Sequence, residues 1–243
     1  MGPSAWGGRD LAGHGLGQRK MAVLQQGIDA DRFSPEQRSG DWRRRLSGKM
    51  GEDAKVAADG SVDGSVEGND SGNKKILLFV GRMSAEKDLS FLAECYRELA
   101  SRRDDVHLAM VGDGPMRAEL EEQLGEIATF TGWLQGEELA AAFASADIFV
   151  FPSSVDTSGQ VILEAQSSGL PAVVCSEGGA SENIEPGNTG LTARSRRAAA
   201  FNEPIRPLLD DEGPRRPMPP PARRPASGPP RAQRASPVGP APT

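Results

Sequence analysis

Apolar and polar blocks alternate along residues 74–193 in a pattern that predicts strands and helices in turn. Short apolar runs bounded by glycine, proline or polar residues predict buried strands at 76–80, 106–111, 128–132, 147–151 and 172–175. Between them, apolar residues at three- and four-residue steps predict amphipathic helices. Strands that alternate with helices favour an α/β fold with a doubly wound, Rossmann-like parallel sheet.

The rest of the chain lacks this periodicity, and we divide it by composition. Residues 1–20 are glycine-rich and are predicted to be disordered, as is the proline- and arginine-rich tail from 196 to 243. Residues 47–73 are rich in glycine, serine and acidic residues and are predicted to form a flexible insertion. Residues 21–46 are predicted to lead into the folded domain at 74–195.

A short basic helix is predicted from Glu36 to Leu46 within that leading segment. Its three consecutive arginines, Arg43, Arg44 and Arg45, are interpreted as a solvated face, the usual environment of a basic run.

Charge and cysteine content narrow the functional class. A formal net charge of −6 disfavours a nucleic-acid partner, because such proteins are usually basic. No apolar run approaches the ~18 residues of a membrane span, and no secretory signal is visible at the N-terminus. The two cysteines, Cys95 and Cys175, are predicted to be buried thiols in a reducing compartment, which indicates a cytoplasmic location.

The stretch from residue 153 to 172 carries the clearest chemical signal. A polar loop follows the strand at 147–151, and a helix is predicted from Gln160 to Ser168 with Gly169 as its left-handed cap. Backbone N–H groups of Ser158, Gly159 and Gln160 would meet phosphate oxygens at the helix start. Two acids, Asp156 and Glu164, would accept hydrogen bonds from hydroxyls. This combination suits a polyhydroxyl ligand that carries phosphate.

The same stretch resembles the acid-x7-acid signature of retaining glycosyltransferases of family four, which have the two-domain GT-B fold. Ser158 stands where the family usually has phenylalanine. The resemblance implies that Asp156 contacts the donor sugar and that Glu164 holds the nucleotide ribose, and we take both as the catalytic acids. It identifies the chain as a C-terminal nucleotide-sugar-binding domain.

Two further motifs agree with this resemblance. Gly81-Arg82 with Lys87 is similar to the family's Gly-Arg-x4-Lys, whose cations contact the donor diphosphate. The run Gly132-Trp133-Leu134 is similar to the loop that contacts the base, largely through its backbone. Two interpretations of Trp133 stay open at this point, since it would either cover the base or fill the core.

Other candidates are interpreted as structural. Gly112 and Gly114 lack the third glycine of a dinucleotide fingerprint, which disfavours a nicotinamide-dependent oxidoreductase. His107 is predicted to be packed, and Glu182 to orient its loop. No metal-ligand cluster is visible in the sequence, and we expect neither a metal nor a cofactor.

These observations predict a donor domain that binds a nucleoside diphosphate sugar, of the GDP-mannose type, for retaining glycosyl transfer. The acceptor is an unassigned lipid, glycan or small molecule, and any peripheral membrane contact would be made by an N-terminal domain. The alternative is an inactive, truncated nucleotide-sugar-binding fragment, since the motif match stops after Ala193 and a shifted reading frame would explain this. We expect the isolated chain to transfer no sugar at a useful rate, because the GT-B fold places its acceptor on a separate domain.

Overall fold

The computed structural model describes residues 28–48, 74–155, 159–193 and 197–210. Several predictions concern residues outside these ranges. They are the disorder of residues 1–20 and of 211–243, most of the acidic insertion, and the site roles of Asp156 and Ser158.

Six parallel strands form one sheet in the order β3-β2-β1-β4-β5-β6. This confirms the predicted doubly wound parallel sheet. The order reverses beside β1, where β2 and β4 flank it, and open sheets of this kind bind ligands at such a switch point. The strands are β1 Lys75–Val80, β2 Val106–Val111, β3 Ala128–Gly132, β4 Ile148–Phe151, β5 Ala172–Cys175 and β6 Gly190–Ala193.

The helices cover the sheet in two groups. α2 contacts α3 and α6, whereas α4 contacts α1 and α5. Because the chain winds in opposite directions from β1 to β3 and from β4 to β6, right-handed crossovers place the two groups on opposite faces. Among the described residues, no helix combines the length and apolar character needed to cross a membrane. The helices are α1 Gly40–Leu46, α2 Leu89–Ala100, α3 Arg117–Leu124, α4 Gly136–Ser145, α5 Gln160–Ser167, α6 Ala198–Asn202 and α7 Ile205–Asp210.

The core lies where the central strands meet the helices. Every residue of β2 and β4 is buried, as expected for strands covered on both faces. Phe151 stacks at 6.1 Å from Phe149 and at 6.3 Å from Phe79, measured between ring centroids. Aromatic side chains thus join β1 to β4 at the switch point.

The predicted start of the disordered tail at residue 196 is wrong for residues 197–210. This part forms α6 and α7, and Phe201, Ile205 and Leu209 are buried. The amide of Asn202 donates to the Cys95 carbonyl at 2.9 Å, which joins α6 to α2. Three apolar residues spaced four apart lie on one face of helical turns, and their burial outweighs the local proline content.

The segment leading into the domain is more closely packed than predicted. Instead of one helix from Glu36, it has a 3-10 turn at Pro35–Gln37 and then α1 from Gly40. Ser39 separates them, and its hydroxyl accepts from the Trp42 N–H at 3.4 Å as the cap of α1. The Ser167 hydroxyl of α5 donates to the Phe33 carbonyl at 2.6 Å. The segment therefore packs on the helices that precede and follow β4.

Arg43 corrects the interpretation of the arginine run as a solvated face. Its guanidinium donates to both carboxylate oxygens of Asp147, at 2.8 and 3.0 Å. It also donates to the carbonyls of Ser145 and Lys74, each at 3.1 Å. The Asp147 carboxylate, only 1% exposed, accepts in addition from the Ile76 N–H at 2.6 Å. A buried ion pair thus connects α1 to the starts of β1 and β4, whereas Arg44 stays exposed.

His107 is packed inside β2, as predicted. It is 5% exposed, and its Nε2 lies 2.8 Å from the Thr129 hydroxyl. Burial, with a smaller contribution from the charge of Lys74, lowers the pKa of His107 from 6.5 to about 4.

The low pKa of His107 predicts a loss of stability in mild acid. Between pH 6.5 and pH 4 the unfolded chain binds a proton at His107 that the folded chain does not bind. The free energy of unfolding therefore decreases as the pH is lowered through this range. We expect His107 to reduce this free energy by about 1–2 kcal/mol on going from about pH 7 to about pH 5. Urea titrations at both pH values should show the loss in the parent and not in His107→Gln. An identical pH dependence in the two proteins would contradict this.

Candidate functional site at the carboxyl edge of the sheet

Loops that follow the parallel strands meet at the carboxyl edge of the sheet, and glycines allow their backbones to touch. A Cβ added at Gly112, after β2, would lie 2.0 Å from the Gly81 carbonyl oxygen after β1. One added at Gly114 would lie 2.3 Å from the Met83 carbonyl oxygen. The structural interpretation of the two loop glycines is therefore supported, because no side chain fits at either position.

The loop after β1 carries the two predicted phosphate-binding cations. Arg82 is exposed, and Lys87 is half-buried at the end of a 3-10 turn, Ala85–Lys87. Ser84 precedes this turn, but its side chain does not cap it. Its hydroxyl donates to the Glu86 carboxylate at 2.6 Å, and α2 begins only at Leu89. The turn keeps Lys87 on the loop at the sheet edge, before the chain enters α2.

Side chains connect this loop to the one that follows β4. Lys87 Nζ lies 5.6 Å from the ring centroid of Phe151, the last residue of β4, in a cation–π contact. The Ser153 hydroxyl donates to the Glu86 carbonyl at 3.0 Å. The Ser154 hydroxyl donates to the Asp88 carboxylate at 3.1 Å. The cation-bearing loop and the acidic-motif loop, some 66 residues apart in sequence, are thus in direct contact.

The start of α5 lies beside the loop that follows β5. Gly159, at φ 58°, precedes the first residue of α5, and a Cβ there would lie 2.1 Å from the Asn183 amide nitrogen. Glu164 is half-buried, and burial raises its pKa, while a hydrogen bond from the Gln160 side chain opposes that rise. Gln160 and Glu164 thus lie one turn apart on the same face of α5, where the carboxylate can accept hydrogen bonds.

The loop after β3 excludes one of the two interpretations of Trp133. Trp133 is 58% exposed, so its side chain does not fill the core and is accessible to a ligand at this edge. Leu134, by contrast, is buried. The Gly132 carbonyl accepts from the Gly112 N–H at 2.8 Å, so this loop is joined to the loop after β2.

Two residues that shape this edge were not predicted from the sequence. The Asp88 carboxylate accepts a hydrogen bond from Ser154 in the loop after β4, and the Asn183 side chain packs on Gly159. A carboxylate at a helix start predicts only local capping, so its distant partner has no sequence signal. Glu182 is exposed in the same loop as Asn183. Among the described ranges, no group of three or more His, Cys, Asp or Glu side chains is placed to hold a metal ion.

The chain matches the profile of a known protein family. The profile of the family "Glycosyl transferases group 1" matches residues 74–211, more than half of the chain. The chain belongs to the group 1 glycosyl transferases. The match includes α6 and α7, so the expectation that similarity stops after Ala193 is wrong.

Two curated relatives illustrate the range of similar proteins. The chain is 35% identical to the sulfoquinovosyl transferase SQD2 of Arabidopsis thaliana over 192 residues, which cover 78% of this chain and 33% of the plant protein. It is 38% identical to a GDP-mannose-dependent alpha-mannosyltransferase of Corynebacterium glutamicum over 178 residues, 73% of this chain and 41% of that protein. The chain therefore spans less than half the length of these two relatives.

Solved structures show the same fold at lower identity. Anabaena HepE, in complex with UDP and glucose, superposes with a TM-score of 0.66 at 21% identity, over 86% of this chain and 53% of HepE. WaaG, a glycosyltransferase involved in lipopolysaccharide biosynthesis, superposes with a TM-score of 0.65 at 22% identity, over 87% of this chain and 53% of WaaG. The sheet and its helices thus form one Rossmann-like domain of the GT-B fold.

Proposed function

We propose that this domain binds the nucleoside diphosphate sugar donor of a retaining glycosyltransferase at the carboxyl edge of its sheet. The observation that carries the proposal is the contact between the loops after β1 and β4. It brings Lys87 against Phe151 at the residue where β4 ends and the loop leading to α5 begins. A cation, a helix start and a half-buried carboxylate on one sheet edge suit phosphate and ribose together.

The two cations have a chemical role in such a transfer. When the sugar leaves, negative charge grows on the nucleoside diphosphate, and fixed positive charges stabilise it. Arg82 would bind phosphate oxygens through its guanidinium fork, and Lys87 as a point charge. Backbone N–H groups at Gly159 and Gln160 would add donors from the helix start. Ser158, the third donor suggested by the motif, is assigned to this role from sequence alone.

The remaining roles concern the sugar and the nucleoside. Glu164 would accept hydrogen bonds from the ribose hydroxyls, and the exposed face of Trp133 would cover the base. Asp156 is assigned to the donor sugar by its place in the acid-x7-acid motif. These roles place the phosphate between the β1 and β4 loops and the base toward β3.

The donor we favour is GDP-mannose. GDP-mannose-dependent mannosyltransferases of Corynebacterium glutamicum and Mycobacterium tuberculosis are 38% and 37% identical to this chain over 73% and 68% of its length. The competing base is uracil, because HepE binds UDP on the same fold. The acceptor stays unassigned. That the chain binds the donor without transferring sugar stays a prediction, and turnover by the purified chain with no partner protein would overturn it.

Four single variants test the assigned roles by their selectivity. Arg82→Ala and Lys87→Ala should each weaken GDP binding by about 1.5–3 kcal/mol, the scale of hydrogen bonds to charged groups. They should have less effect on guanosine, which has no phosphate. Glu164→Gln should weaken GDP and guanosine alike, since both contain the ribose. Asp156→Asn should weaken only GDP-mannose. Calorimetric titrations against the three ligands, repeated with the uridine series, measure this.

Arg44→Ala provides a matched control, because Arg44 is exposed on α1, among the elements that cover the amino ends of the strands. It should bind every ligand as the parent does. Equal losses for all variants with all ligands would indicate general destabilisation and overturn the assigned roles. No binding of either nucleotide series by the parent would overturn the proposed function itself.

A further inference from the structure

Asp88 adopts a backbone conformation that asparagine and aspartate tolerate better than most residues. Of the described non-glycine residues, it alone has a positive φ, 53°, with ψ 38°. A left-handed backbone is unfavourable for residues other than glycine. Such outliers persist when surrounding contacts require them, and they concentrate at functional sites.

The Asp88 side chain does not perform the usual task of its position. Asp88 is the N-cap residue of α2, where aspartate normally accepts from an N–H in the first helical turn. No such cap hydrogen bond is formed. The carboxylate instead accepts two hydrogen bonds from Ser154, from the hydroxyl at 3.1 Å and from the backbone N–H at 3.3 Å. A local interaction is thus replaced by one between two loops.

Ser154 is held from its other side as well. A Cβ added at Gly178, in the loop after β5, would lie 2.1 Å from the Ser154 carbonyl oxygen, so the two backbones are in contact. Ser154 is buried, and so is Ser153, whose hydroxyl donates to the Glu86 carbonyl. The two consecutive serines therefore donate hydrogen bonds to the residues on either side of Lys87, namely Glu86 and Asp88.

We propose that Asp88 is a positioning residue for donor binding, which sets the distance between Lys87 and the start of α5. This inference rests on the proposed function. The left-handed backbone of Asp88 directs the chain from the 3-10 turn into α2. The Asp88 carboxylate holds Ser154, which lies five residues before Gly159. A diphosphate bound by both Lys87 and the N–H groups of α5 requires these loops at one fixed separation. A nucleoside, which contacts neither group, does not.

Three variants separate the carboxylate from the backbone conformation. Asp88→Gly keeps the left-handed conformation and a suitable N-cap residue but removes the acceptor. Asp88→Asn keeps both the conformation and one acceptor oxygen, and serves as the matched control. Ser154→Ala removes one of the two donors and leaves the backbone N–H. Circular dichroism and thermal melts of the full chain establish that each variant is folded.

We expect Asp88→Gly to raise the Kd for GDP, or for UDP if uracil is the base, by about tenfold. The Kd for the matching nucleoside should stay within about twofold of the parent value. Asp88→Asn should retain most of the diphosphate affinity. Combining Asp88→Gly with Ser154→Ala should weaken diphosphate binding no further than Asp88→Gly alone, because both changes remove the same contact.

Hydrogen exchange of the ligand-free proteins tests the contact without reference to nucleotide. The Ser154 amide should lose protection in Asp88→Gly and keep it in Asp88→Asn. An unchanged diphosphate Kd in Asp88→Gly, or an equal loss for nucleoside and diphosphate, would overturn the positioning role. If the parent binds no nucleotide, the proposed function fails. The inter-loop contact is then supported by the loss of Ser154 protection and overturned by its retention.

Discussion

Replacing Arg43 with alanine is expected to lower the free energy of unfolding by about 3–5 kcal/mol, the usual cost of removing one partner of a buried ion pair. The change leaves the Asp147 carboxylate buried at 1% exposure, with its negative charge uncompensated. It also removes the donors to the carbonyls of Ser145 and Lys74. Urea unfolding at neutral pH, with unchanged m-values as the check for two-state behaviour, measures the loss.

Arg44 is the matched control, since it is the next residue of α1 and is also an arginine. Its pair with Asp41 lies at the surface, with both side chains more than half exposed. Surface pairs contribute little, so Arg44→Ala should change stability by less than about 1 kcal/mol. Similar values for the two variants would contradict a special role for Arg43.

A double variant tests whether the loss of stability comes from the Asp147 carboxylate that is left without its cation. Arg43→Ala with Asp147→Ala should be less destabilised than the sum of the two single variants, because each single change leaves a buried group without its partner. Full recovery is not expected. Ile76 donates its backbone N–H to Asp147, and this donor would lose its acceptor inside the sheet.

Gly112→Ala is expected to destabilise the protein by about 2–5 kcal/mol and to weaken nucleotide binding. Two costs add at this position. Its φ of 128° is poorly accessible to alanine, and the new Cβ would meet the Gly81 carbonyl oxygen at 2.0 Å. Neither atom can rotate away, since the backbone fixes the position of the Cβ and the carbonyl oxygen belongs to the backbone at the end of β1. The loops after these two strands would have to move apart. Arg82, which lies in the loop after β1, would be displaced with its loop.

Gly136→Ala distinguishes the cost of the positive φ from the cost of the steric clash of the added Cβ. Gly136 also has a positive φ, 57°, but an added Cβ there would meet no atom within 4 Å. Its cost should be the conformational one alone, roughly 1–2 kcal/mol. Denaturant unfolding and GDP and UDP titrations of both variants provide the comparison. Equal destabilisation by the two changes would show that the contact between Gly112 and Gly81 is not what limits this position.

The sequence predicted the parts of the fold that depend on local pattern. Mainly apolar runs placed β1, β2, β4 and β5 within about one residue of their observed bounds, because buried parallel strands need such runs. β3 was placed as well, although only Ala128 of this strand is buried. β6 was missed because Gly190–Ala193 has only one large apolar residue, Leu191. α6 and α7 were missed because they are short and adjoin a proline-rich tail. α6 packs on α2 and β6, and α7 packs on α6, and helices this short depend on such tertiary contacts.

The sequence by itself determined five of the six strands, the family and the positions of the cation and acid motifs. Tertiary structure alone decided which neighbours those motifs have. Arg43 meets Asp147 across 104 residues, and Asp88 meets Ser154 across 66. Neither pair has a local signal, because a charged residue has the same sequence context whether its partner is water or a distant side chain. Parallel topology brings every strand-to-helix loop to one edge, and there the fold selects which side chains can meet.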